Sequence, residues 1–279
     1  MTSSPPVKRF DWRNLGLRAL SAAILAPVAL AAVWFGGWLF LVMIAVAVTL
    51  LTIEWGEMCD RETPVRAAAI ITAPVLVAVF ATYLGHPRVG WALVGLGAFA
   101  SALIALARGR IDRPADIAFG VLYVGAPSIA LIWLRDDVEG RGWTLMLIAV
   151  VWGADIGAFL VGSLLKGPKL WPRFSPNKTW SGFVGGLVVG VLVAEAIAFI
   201  LPHEAGPGPK AVVVVGLATG LAAMGGDLWE SALKRRFGVK DSGSLIPGHG
   251  GLLDRVDGLM FGAIVMAAAR WIWSLGAGF

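Results

Sequence analysis

Apolar residues run in blocks along most of this chain, and short polar or charged segments separate the blocks. The blocks cover roughly residues 17–35, 38–55, 66–84, 90–107, 117–134, 143–165, 182–201, 211–230 and 258–276. Each is close to the ~20 residues an α-helix needs to cross a bilayer. The pattern predicts an all-α polytopic membrane protein with about nine transmembrane helices. A membrane β-barrel would show alternating segments of about ten residues, which this chain lacks. Pro27, Pro74 and Pro127 fall inside blocks, where they are expected to shape helix packing. The block at 182–201 carries Gly182, Gly186, Gly190 and Ala194 at four-residue spacing, a nearly bare face that a second helix can approach closely. Gly216 and Gly220 repeat the theme one block later.

Composition supports this. The 279 residues are 58% hydrophobic and 15% charged, with mean hydropathy +0.79. A soluble domain carries about 25% charged residues. No soluble domain is expected. Residues 1–142 read as a region of about five spans, and residues 143–279 as a second region with a polar loop at 231–257. The first block is not read as a cleaved signal peptide, although Ala29-Leu30-Ala31 resembles a cleavage site, because it is long and a second span follows at once.

With the N-terminus placed in the cytoplasm, 18 of the 23 Lys and Arg residues fall on the cytoplasmic side. Arg88, Arg135, Arg141, Lys210 and Arg270 fall on the other. The positive-inside rule therefore predicts N-in, C-out. The net charge of +5 reads as a topology signal and not as nucleic-acid binding. Cys59 is the only cysteine, which excludes an intrachain disulfide and a multi-thiolate zinc site.

The polar residues that carry chemistry collect in the second half. Gly226 to Gly258 holds five acids (Asp227, Glu230, Asp241, Asp254, Asp257), five bases (Lys234, Arg235, Arg236, Lys240, Arg255) and His249. If the eighth helix continues through Lys234, then Asp227, Glu230, Ser231 and Lys234 share one face. Asp227 still lies in the apolar run, where a carboxylate needs a partner or a metal. Asp254 and Asp257 share a face of a starting helix, and Asp227 with Asp254 could hold one or two Mg²⁺ ions, which favour a few carboxylates plus phosphate oxygens. The loop glycines let backbone amides approach a phosphate. No EF-hand or Walker A pattern occurs. His249 is assigned phosphate contact or loop shaping. Asp155, Phe159, Gly162 and Lys166 share a face of the sixth helix. Ser175, Asn177, Lys178 and Thr179 form the N-terminal approach to the seventh helix, which is expected to begin near Trp180, and a helix N-terminus with Lys178 beside it suits an anion.

The run from Ser231 to Asp257, S-A-L-K-R-R-x3-K-D-S-G-S-L-I-P-G-H-G-G-L-L-D-R-V-D, closely resembles the signature of the phosphatidate cytidylyltransferases. Asp155–Gly162 and Ser175–Gly182 resemble two further blocks of that family. The resemblance covers about Gly153 to Gly258. It implies CMP transfer from CTP to phosphatidic acid, giving CDP-diacylglycerol and pyrophosphate, with Mg²⁺ required and a monovalent cation such as K⁺ assisting. It also implies a homodimer in the bacterial cytoplasmic membrane with its site facing the cytoplasm. The family's metal-binding aspartates match Asp227 and Asp254. Lys234, Lys240, Asp241, His249, Arg255 and Asp257 match further signature positions, read as catalytic. Asp155, Ser175, Asn177, Lys178 and Thr179 are read as substrate-binding. The sequence departs from the family at Asn177, where a Lys is common, and at Ser181, where a Glu is common. A CTP-dependent prenol or dolichol kinase is the nearest rival. A transporter is the rival from another class, although most acids cluster at one boundary rather than at the midplane.

Overall fold

The computed structural model describes residues 12–108, 113–136, 138–200, 209–243, 245 and 250–276. Among them are nine α-helices: α1 (Trp12–Phe35), α2 (Gly37–Cys59), α3 (Pro64–Tyr83), α4 (Pro87–Arg108), α5 (Pro114–Leu134), α6 (Val138–Leu165), α7 (Trp180–Ile200), α8 (Pro209–Arg236) and α9 (Leu253–Ser274). The helices α2 to α9 are each long and apolar enough to cross a membrane, and the described apolar part of α1 is the shorter Ala23–Phe35. The protein is thus an integral, multi-pass, all-α membrane protein, and each expected span falls on one helix. Prolines open α3, α4, α5 and α8, where the missing N–H costs no helical hydrogen bond. Pro27, Pro74 and Pro127 lie inside continuous helices.

One element was not foreseen. Between α6 and α7, β1 (Lys169–Trp171) and β2 (Ser175–Thr179) pair antiparallel, with Lys169 opposite Thr179 and Trp171 opposite Ser175. The expected approach to the seventh helix is therefore a strand. Strand pairing satisfies backbone groups that a loose segment would leave to water. Lys166 (φ 55°) and Gly167 (φ 110°) end α6 in left-handed conformations and turn the chain into this hairpin.

Two buried clusters form the interior. The larger is built on α1 to α5 and takes in Leu233, Phe237, Leu253 and Met260 from the end of α8 and the start of α9. The smaller joins the end of α5 to α6, α7, α8 and α9 through residues such as Trp143, Leu147, Ala194, Val215 and Met266. Trp55 ties the first helices to the last. Its ring is fully buried, packs on Phe119 and Tyr123, meets Phe237 edge-on at 5.7 Å, and donates Nε1–H to the Asp116 carbonyl at 2.9 Å.

Candidate functional site

Helix packing creates the site. The four buried residues of α7 are Gly182, Gly186, Gly190 and Ala194, the bare face read from the sequence. A side chain at Gly182 would put its Cβ 2.7 Å from the Ala158 carbonyl oxygen and 3.3 Å from the Gly162 Cα, so α6 and α7 meet almost backbone to backbone. Thr179 caps α7 through its hydroxyl, which accepts from the Gly182 N–H at 3.1 Å. Ser181, where the related family commonly has Glu, donates its hydroxyl to the Lys166 carbonyl and pins the hairpin to the end of α6.

Helix α8 has 28 residues, about 42 Å of length, against a hydrocarbon core of about 30 Å. It runs through Arg236, so its last turns carry the polar stripe from Asp227 to Lys234. Below the hairpin, β2 and the helices α6, α7, α8 and α9 enclose a cavity of about 850 Å³. Among its walls are Asp155, Asn177, Lys178, Thr179, Asp227, Asp254, Arg255 and Asp257, with Phe159 and Gly162 on the Asp155 face of α6. Lys178 reaches across from the hairpin to an ion pair with Asp227 on α8. The Asp257 carboxylate accepts from the Gly258 N–H at 2.8 Å.

The other residues singled out in the sequence lie around this cavity. Lys234 sits behind the wall and bonds Glu230 at 2.7 Å and Asp254 at 2.6 Å, so its charge holds carboxylates in place. Ser175, Lys240 and Asp241 are not among the lining residues, and Lys240 and Asp241 are exposed. Lys166 has left the helix and does not join the Asp155 face. Arg235 donates to the Val239 carbonyl at 3.1 Å, and Arg236 pairs with the buried Asp116 of α5 at 2.5 Å. His249 lies outside the described residues.

Glu54 was missed. It is fully buried at the end of α2, 198 residues before its partner, and takes three hydrogen bonds: Leu252 N–H at 2.6 Å, Leu253 N–H at 2.8 Å and the Ser242 hydroxyl at 3.1 Å. Asp254 takes two neighbouring amides, Ser242 N–H and Gly251 N–H, each at 3.1 Å. A Cβ at Gly251 would stand 2.7 Å from the Glu54 carboxylate. This loop glycine therefore makes room for the Ser242 hydroxyl, 1.9 Å from that Cβ, and for the Glu54 carboxylate it donates to, where the sequence suggested a phosphate. The only hint in the sequence was an acid placed late in an apolar block.

Four carboxylates and two cations line the cavity, a surplus of negative charge. A polyanion fits such a site when a cation accompanies it. Among the described residues no three His, Cys, Asp or Glu side chains group as a ready metal cage. The donors fit Mg²⁺, which binds through one or two carboxylates and completes its shell with water and phosphate oxygens. Asp227 on α8 and Asp254 on α9 both line this cavity. Asp254 is already held by the Lys234 ammonium and by the Ser242 and Gly251 amides.

Comparison with known proteins agrees with this chemistry. A model of the cytidylyltransferase family matches residues 16–273. A protein of Brucella suis biovar 1 (strain 1330) named phosphatidate cytidylyltransferase is 38% identical over 273 residues, covering 95% of this chain and 94% of that relative. Its namesake from Staphylococcus aureus (strain COL) is 40% identical over 149 residues, covering 52% of this chain and 56% of its own length. The lining of the cavity, the loop it borders and the near full-length match together make this chain a member of the cytidylyltransferase family.

Proposed function

We propose that this protein is a phosphatidate cytidylyltransferase. It transfers the CMP group of CTP to phosphatidate and releases pyrophosphate and CDP-diacylglycerol. The observation that carries the reading is a single cavity in which carboxylates and phosphate-binding cations stand beside exposed apolar side chains. Trp152 and Phe159 are exposed on α6 and share that cavity with Asp155, Lys178 and Arg255. Extracting acyl chains from lipid costs about 0.8 kcal/mol per CH₂. A wall that is apolar on one side and charged on the other lets the chains stay in the bilayer while the headgroup reaches CTP.

A phosphate monoester has a second pKa near 6, so phosphatidate arrives ionised and needs no strong base. Its oxygen attacks the α-phosphorus of CTP as the bond to the β-phosphate oxygen breaks. The obstacle is repulsion between two anions. Lys178 and Arg255 bring positive charge to the cavity wall, and Asn177 and Thr179 flank Lys178 on β2. Lys234 holds Asp254 at the lining. Asp227 and Asp254 would hold Mg²⁺, with Asp257 and Asp155 in support. When bound, Mg²⁺ neutralises phosphate charge and stabilises the leaving pyrophosphate. The signature supports assigning Lys240, Asp241 and His249 to the same reaction. By the basic-residue asymmetry the site faces the cytoplasm, where CTP is found. The resemblance extends the proposal to the bacterial cytoplasmic membrane, a homodimer and K⁺ as a second cation.

The test is purified protein with phosphatidic acid, CTP and Mg²⁺. Pyrophosphate and CDP-diacylglycerol should appear in equal amounts, and chelation should stop both. Release of CDP with a phosphorylated lipid would replace this reading by a lipid kinase. Substrate flux into vesicles with no CTP consumed would replace it by a transporter.

A further inference from the structure

We propose that Glu54 is a positioning residue for nucleotidyl transfer. From the end of α2 it fixes the loop and first turn that present Asp254, Arg255 and Asp257 to the cavity. The proposal rests on the reaction assigned above.

Helix α9 lacks a cap of its own. The residue before it, Leu252, has no side-chain acceptor and makes no cap bond. The first N–H groups of a helix need partners, and its N-terminus favours negative charge. Here the acceptors come from two carboxylates. Glu54 takes the amides of Leu252 and Leu253, and Asp254 takes that of Gly251. Ser242 is shared, its hydroxyl donating to Glu54 and its amide to Asp254. Three consecutive amides and one serine are thus divided between a distant carboxylate and a cavity-lining one.

The space around Glu54 is shaped to it. A Cβ at Gly251 would stand 1.9 Å from the Ser242 hydroxyl and 2.7 Å from the Glu54 carboxylate it donates to, and one at Gly243 would stand 3.0 Å from the Glu54 Cγ. Glu54 is fully buried and does not line the cavity, so it touches neither substrate nor metal pair. It acts through the backbone. If the turn slackens, Asp254 loses its amide partners and the facing carboxylates lose their relative placement. A small misplacement of reacting groups costs rate far more than binding.

Glu54→Gln keeps the size but replaces one acceptor oxygen with an NH₂ group that faces backbone N–H groups. The expected result is a fall in kcat of about 10- to 100-fold with the KM for CTP and phosphatidic acid changed less than about twofold. Hydrogen exchange should accelerate at Ser242 and at 251–253 but not in α7. Ser242→Ala removes a single bond to Glu54 and should show the same split, about 3- to 10-fold in kcat. This second variant decides the matter if Glu54→Gln does not fold. Unchanged kcat and unchanged exchange in a folded variant would overturn the proposal. So would a lower kcat with exchange accelerated equally throughout the protein, which marks general loosening. If the wild-type protein lacks cytidylyltransferase activity, the function reading fails, while the exchange at 251–253 still reports whether Glu54 clamps the turn.

Discussion

At the scale of single residues, the site is a set of charges that hold one another in place. Lys178 of β2 pairs with Asp227 of α8, and Lys234 bridges Glu230 of α8 and Asp254 of α9. Each pairing keeps a carboxylate at a set position without consuming all its lone pairs. Asp254 is the most connected, with an ammonium and two amides. Asp254→Asn keeps the shape and removes the charge. Lys234 then retains Glu230, so no buried ammonium is orphaned. Turnover should fall by about 10³-fold while the protein stays inserted and melts within a few degrees of wild type. Near-normal activity in a steady-state assay would overturn the proposed metal role of Asp254. Asp155 and Asp227 were legible in the sequence because an acid stands out against apolar helix, and Lys178 and Asp254 because they fall in polar segments at helix starts. Glu54 was not, because a lone acid near a block end looks like any interfacial residue until its partners, nearly 200 positions later, fold against it.

At the scale of elements, the α6–α7 seam sets the width of the cavity. Contact along Gly182 and Gly186 leaves no room for side chains, and the hairpin that joins the two helices lies at their common end. Gly182→Leu forces the seam open. It should cost about 1–3 kcal/mol, lower the melting temperature by several degrees and abolish most activity. Gly225→Ala is the control, because its Cβ meets nothing within 4 Å. Equal melting curves for the two variants would mean that the seam is not close-packed. The glycine face followed from four-residue spacing alone. The hairpin did not, since Ser175–Thr179 is too short and polar to show a strand period, and its strand forms only by pairing with Lys169–Trp171.

At the scale of the whole molecule, the N-terminal helices complete a site that the C-terminal sequence only begins. Glu54 on α2 holds α9, Asp116 on α5 holds Arg236, and Trp55 packs on Phe237. Orientation in the membrane is open to direct measurement because Cys59 is the one cysteine. With Cys59 replaced by Ser, single cysteines at Arg173→Cys and Arg88→Cys occupy exposed positions. In intact cells a membrane-impermeant maleimide should label the second and spare the first until the cells are opened. The reverse pattern would place the cavity on the outer side and remove CTP from reach.

The sequence by itself determined the number of the helices, the bare face of α7 and the charged stretch that borders the cavity. These rest on local periodicity and on the cost of burying charge in lipid, which act on neighbours along the chain. Only the tertiary structure decided which charges meet. Lys234 was drawn to Asp254 and away from the cavity wall, Arg236 was drawn to Asp116, and the loop glycine Gly251 faces Glu54. The reason is physical. A buried charge takes whatever partner the packing brings within reach, and packing brings together residues that no spacing in the sequence relates.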